Sequence, residues 1–134
     1  MNNTPLVEEK LTYQIIGILY EIHNKLGHLL QEKYYQRAIS QSLTREKLNF
    51  EQEKSVNIML DNQKIGQYKI DFLINNQLIL ETKTINIGLQ KYHHQILSYM
   101  NQLQIRIGLL VNFRQPKLQI KRLLLSAKYL HNSI

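Results

Sequence analysis

Apolar residues set the first element. Leu11, Ile15, Ile18, Leu19, Ile22 and Leu26 recur three or four positions apart, the spacing of one buried helical stripe over residues 4–26. Thr4 is placed to cap this helix with Pro5 in its first turn, and Gly27 to stop it. A second helix is expected over residues 30–47, burying Leu30, Tyr34, Ala38 and Leu43. The period then shortens to two. Val56, Ile58 and Leu60 alternate with polar neighbours up to an Asp61-Asn62 turn. A second strand follows over residues 64–74, an Asn75-Asn76 turn, and a third strand over 77–83. IDFLI and LILETK are almost wholly apolar, as strands covered on both faces are. After Gly88 comes a helix over 89–103 with Leu89, Ile96, Met100 and Leu103 inward. RIGLLVN is a fourth buried strand, Pro116 marks a loop, and IKRLLL is an edge strand before a frayed or briefly helical tail over 126–134.

This order predicts an α/β fold: a mixed sheet flanked by helices, with the third and fourth strands parallel across a right-handed helical crossover. With 134 residues and no linker or repeat, the expectation is a single domain over residues 1–134. At 43% hydrophobic and 20% charged residues the chain reads as globular. It has no cysteine, which excludes a thiolate nucleophile and any cysteine-ligated metal. No apolar run approaches a membrane span, and MNNTPLVEEK lacks the features of a secretory signal, so the expected location is cytoplasmic.

Charge changes the picture by its distribution. Residues 1–81 hold all ten acids and nine Lys or Arg, whereas residues 82–134 hold eight Lys or Arg and no acid. Such asymmetry suits a polyanionic partner, with ordinary basic surface as the plainer alternative.

The candidate chemistry lies on two adjacent strands. Asp71 sits inside IDFLI. Glu81 and Lys83 end LILETK two residues apart and share a face, with Thr82 turned away. A carboxylate among apolar neighbours must be paired, solvated or metal-bound. Clustered carboxylates repel, and a divalent cation relieves that repulsion; oxygen ligands suit Mg2+ or Mn2+. Register tests the idea. A two-residue Asn75-Asn76 loop would pair Asp71 with Leu80 and turn Asp71 and Glu81 to opposite faces. A shared site therefore predicts a one-residue slip, from a three-residue loop or a bulge near Asp71.

Asp71, followed across a hairpin by Glu81-Thr82-Lys83, resembles the D…(D/E)-x-K signature of PD-(D/E)XK nucleases. The element order is similar to that superfamily's αβββαβ core with an extra N-terminal helix. IIGILYEIHNKLGHLLQEKYYQRAI resembles the opening of the GxxExxY family within it, and IDFLI, LILETKT, QILSYM and RIGLLVNF match later segments in order over residues 15–125. The naming motif falls on Leu29, Glu32 and Tyr35, so its glycine is leucine here, and His28 stands where a proline is usual. The resemblance implies a metal-dependent nuclease acting on nucleic acid, with DNA the expected substrate. It makes Asp71, Glu81 and the Thr82 carbonyl metal ligands, and Glu32 a further ligand, direct or through water. Lys83 would orient or help deprotonate the attacking water; Gln95 and Tyr99 would position phosphate or Lys83. Glu21 is the other candidate for the helical acid.

Plainer readings stand beside these roles. Asp71 and Glu81 suit a structural ion pair with Lys83, and Glu32 a solvated first-turn carboxylate. Gln95 and Tyr99 suit hydrogen bonds within the fold. His23, His28, His93 and His94 suit surface positions or phosphate contacts, and Tyr34, Tyr35 and Tyr92 the core rim or base stacking. The rival to a nuclease is an inactive module of the same fold that binds nucleic acid or protein; action on RNA is a third reading. A homodimer spanning a duplex is the expected assembly.

Overall fold

A computed structural model describes residues 4–126. The expected Thr4 cap and the tail beyond Ser126 fall outside the residues whose side chains it describes. Helix α1 (Thr4–Leu26) leads to α2 (Glu32–Arg45) and the hairpin β1 (Phe50–Leu60), β2 (Gln63–Ile74). Strand β3 (Leu78–Lys83), a 3-10 turn (Leu89–Tyr92), α3 (His93–Leu103), β4 (Ile107–Asn112) and β5 (Gln119–Leu124) complete it. The five strands lie in the order β1-β2-β3-β4-β5, with only β3 and β4 parallel.

The sheet is covered on both faces, as the sequence predicts. On one, Leu11, Ile15, Ile18, Leu19 and Ile22 of α1 and Tyr35, Ile39 and Leu43 of α2 pack on Phe72, Leu80 and Leu109. On the other, Ile96 and Met100 of α3 meet Ile70, Ile79 and Leu110. Gly108 makes the second contact possible, because a Cβ there would lie 2.8 Å from Met100 Sδ and 3.0 Å from Ile96 Cγ2.

Several local expectations need correction. The buried stripe of α2 is Tyr35, Ile39, Ser42 and Leu43, one position beyond the expected Tyr34 and Ala38; Tyr34 is exposed. Buried Ser42 hides the stripe from a hydrophobicity pattern. Leu26 and Leu60 are exposed, and Leu103 only half-buried. Strand β1 begins at Phe50, earlier than its alternating apolar residues suggest, because its polar start lies at the sheet edge and needs no apolar partner. The stretch 89–103 is a 3-10 turn followed by α3 rather than one helix.

Turn chemistry sets the registers. Gly27, at φ 77, ends α1 by donating its N–H to His23 O at 2.8 Å. Asp61 and Asn62 both take positive φ and close a two-residue hairpin loop that pairs Leu60 with Gln63. Asn75 and Asn76 take the same left-handed conformation, but one more residue enters this loop. Gln77 donates its N–H to Ile74 O at 2.9 Å, and pairing starts at Ile74–Leu78. The anticipated slip is therefore a three-residue loop, and it places Asp71 opposite Glu81.

Candidate active site

The β2–β3 ladder runs from Ile74–Leu78 to Phe72–Leu80 and then gives way to side chains. The Asp71 N–H donates to Glu81 Oε1 at 2.7 Å. In return Asp71 Oδ2 accepts the Thr82 N–H at 2.8 Å and the Thr82 hydroxyl at 2.9 Å. Two strands that would separate here are thus tied by their own carboxylates. The neighbouring strand is irregular at the same level: Glu53, which faces Asp71 in the β1–β2 register, has φ 54. Face alternation breaks there too. Phe72 and Ile74 pack beneath α1 and α2, whereas Ile70 and Tyr68 pack with α3.

Glu81 is 4% exposed, and burial followed by the Asp71 charge pushes its carboxyl up to about 8. The Asp71 N–H bond and Lys83 oppose that rise. Glu32, first residue of α2, is half-buried, and its carboxyl is raised by burial and then by Asp71. Gln36, one turn on, donates to Glu32 Oε2 at 3.3 Å and to the Thr82 hydroxyl at 2.9 Å, joining helix to hairpin. Tyr99 of α3 is buried, and its hydroxyl is raised by burial and then by Glu81 and Asp71; Gln95 hydrogen-bonds it from one turn earlier. The structure therefore brings Glu32, Asp71, Glu81, Thr82, Lys83, Gln95 and Tyr99 to one region. Glu21 is elsewhere: it is exposed and paired with Lys25 at 3.0 Å and Arg45 at 3.6 Å.

Three acids face one nearby ammonium, and this donor set fits a hard divalent cation. Asp71 and Glu81 each commit one oxygen to protein hydrogen bonds, leaving Asp71 Oδ1 and Glu81 Oε2 for an ion. Among the described residues no group of three or more His, Asp or Glu side chains could hold an ion alone. Water, phosphate and a backbone carbonyl must complete the coordination, as is usual for Mg2+.

The sequence model of the PD-(D/E)XK nuclease superfamily matches residues 9–123. The chain belongs to that superfamily. Its PD-(D/E)XK fold is also similar to the crystal structure of SSO0001, with a TM-score of 0.52 and 19% identity. The match covers 69% of this chain and 49% of that one, so this chain spans about half the length of that protein. No curated protein matches the chain. Nucleases of this superfamily use divalent metals, usually Mg2+ or Mn2+. No helix among the described residues is long and apolar enough to cross a membrane.

Some participants were not singled out in the sequence. Gln36 is one; its signal is the four-residue spacing from Glu32. Tyr68 is another: its ring stacks on Tyr99 with centroids 4.0 Å apart. Its hydroxyl is the one buried side-chain polar atom without a partner among the described residues, and burial then Tyr99 push it up to about 12. Other expectations are revised. His23 is buried, with Nε2 2.9 Å from Gln115 O, and is no surface residue. Arg114, part of the acid-free basic stretch, donates to His28 O and Leu30 O at 2.8 Å each rather than facing a polyanion. Tyr35 lies in the core, stacked on Phe113 at 4.3 Å.

Proposed function

We propose that the protein is a Mg2+- or Mn2+-dependent nuclease that hydrolyses DNA phosphodiester bonds. The single observation behind this is the register that sets Asp71 and Glu81 side by side, with Lys83 two residues on. Asp71 Oδ1, Glu81 Oε2 and the Thr82 carbonyl would hold the metal, with Glu32 contributing directly or through water. When bound, the ion lowers the pKa of a coordinated water and neutralises the nonbridging phosphate oxygens. Lys83 orients the water and takes up charge developing on the phosphate, a role suited to a compact ammonium. Gln95 and Tyr99 hold the phosphate from α3. Thr82 and Gln36 keep Asp71 and Glu32 in place.

The reading extends the superfamily assignment to the smaller GxxExxY group through Glu32 and Tyr35, and carries with it a cytoplasmic location and a homodimer on a duplex. Basic residues of the second half, with Arg114 and the Glu8-paired Arg106 excepted, supply the phosphate attraction.

Cleavage of DNA and RNA with Mg2+ or Mn2+ tests it against Asp71→Ala and Lys83→Ala. Cleavage of DNA by the wild type alone is expected. Equal background in all three, with nucleic acid still bound, would leave a binding module without catalysis. Preferential cleavage of RNA would overturn the substrate.

A further inference from the structure

Lys83 ends β3 within electrostatic reach of Glu32 and Glu81, where it opposes the upward shift of both carboxyls. Yet it bonds to neither. The ion pairs within 4.0 Å among the described residues join Glu21 to Lys25 and Arg45, Glu51 to Lys54, and Glu8 to Arg106. The Lys83 ammonium lies instead over the Tyr92 ring, 4.2 Å from its centroid. Tyr92 closes the 3-10 turn whose Leu89 is buried, and α3 begins at the next residue. The segment between Lys83 and that turn is anchored as well. Buried Asn112 accepts the Ile85 N–H at 3.0 Å and donates to Ile85 O at 2.9 Å. Phe113 N–H donates to Lys83 O at 3.0 Å. The backbone segments that carry ammonium and ring are thus held on both sides.

A ring face holds a cation without neutralising it and without using an oxygen donor. A carboxylate does both. With the ring removed, the flexible lysine stem lets the ammonium swing onto Glu81 or Asp71, where low-dielectric surroundings strengthen the pair. It would then occupy the oxygens that a divalent cation needs.

We propose that Tyr92 is a positioning residue that holds the Lys83 ammonium off the Asp71 and Glu81 carboxylates. Their oxygens stay open to the metal, and the ammonium stays available for substrate phosphate. This rests on the metal-site reading of Asp71 and Glu81. The hydroxyl of Tyr92 has no part in it; the ring has all of it. Lys91 Nζ stands 5.3 Å from the same ring but carries no role here.

The test uses Tyr92→Phe, Tyr92→Leu, Tyr92→Leu combined with Lys83→Met, and Lys91→Ala, with two readouts that need no activity. In the metal-free protein, NMR of the Lys83 Cε protons is expected to show an upfield ring-current shift, kept in Tyr92→Phe and lost in Tyr92→Leu. Calorimetric titration with Mn2+ alone is expected to give about tenfold weaker binding in Tyr92→Leu, the size of effect seen when a ligand's supporting partner is removed. The double variant should recover that loss, because no ammonium remains to compete. Tyr92→Phe and Lys91→Ala should bind Mn2+ as the wild type does. Cleavage adds a third measure, a lower kcat at little changed KM in Tyr92→Leu. An unshifted Lys83 resonance in the wild type overturns the proposal, as does weaker Mn2+ binding that the double variant fails to recover. A wild type with the shift but no Mn2+ binding instead overturns the metal reading beneath it.

Discussion

Two polar networks of this chain are built to opposite ends. The first joins the α1–α2 turn to the β4–β5 loop. Tyr35 Oη donates to Gly27 O at 2.7 Å and accepts the Leu30 N–H at 3.2 Å, while Arg114 donates to His28 O and Leu30 O. The second joins α2 to the β2–β3 hairpin through Glu32, Gln36, Thr82, Asp71 and Glu81. In the first, a cation meets neutral carbonyls that accept its hydrogen bonds. In the second, three acids gather with carboxylate oxygens to spare, and burial pushes Glu81 up to about 8. A satisfied network holds a shape. A network left short of positive charge is ready for a ligand that supplies it. The two are coupled, since the turn held by Arg114 delivers Glu32 to the hairpin.

The widest separation between them is expected at Glu81. Glu81→Gln should lower the cleavage rate by on the order of 1,000-fold, because in the proposed site it removes a ligand and its charge. The same change should raise the stability of the metal-free protein. The ordinary value for this carboxyl is 4.5, against about 8 in the fold. Between those values the folded chain keeps a proton that the unfolded chain has released. Metal-free stability is therefore complete below pH 4.5 and falls as pH rises through 8, at up to about 1.4 kcal/mol per pKa unit of difference. Thermal melts from pH 4 to 9 in chelator should show that decline in the wild type and a flatter profile in Glu81→Gln. A steeper decline in the variant would place the surplus charge elsewhere.

Arg114 should behave in the reverse sense. Arg114→Met removes two charge-assisted hydrogen bonds and leaves two carbonyls unmet, a loss of about 2–3 kcal/mol. Urea unfolding should show it as a lower midpoint at unchanged m-value. Cleavage by the folded fraction should fall only a few-fold, through looser placement of Glu32. A loss of activity as large as that of Glu81→Gln, with the urea midpoint unmoved, would make Arg114 a substrate contact and collapse the distinction.

The two networks were not equally legible in the sequence. Asp71 and Glu81 stand out because apolar strands rarely carry acids, and the requirement that they share a face predicts the slipped register. The sequence leaves a three-residue loop and a bulge near Asp71 as alternatives, since Asn75-Asn76 looks like Asp61-Asn62 and only the position of Gln77 distinguishes the two turns. The turn network was nearly invisible. Arg114 binds backbone carbonyls, which have no sequence signature, and its partners lie 84 and 86 residues away. In the sequence it reads as one more basic residue of the acid-free stretch. Tyr35 was hidden for another reason: the inner stripe of α2 includes Ser42, so hydrophobicity alone set the helix one position off.

The smallest expected effect is the sharpest test of separability. Tyr35→Phe removes the hydroxyl but keeps the ring stacked on Phe113, so the core contact survives. One donated and one accepted hydrogen bond are lost, worth about 1 kcal/mol net, or a fall in Tm of about 4 °C. Arg114 still grips the turn from His28 O and Leu30 O, so Glu32 should stay within reach of Asp71. Mn2+ affinity and cleavage below the melting transition should match the wild type. The opposite result, an unmoved Tm with weaker Mn2+ binding, would mean that the hydroxyl acts on Glu32 rather than on the fold. The turn would then belong to the site, and Tyr35 would be functional rather than structural.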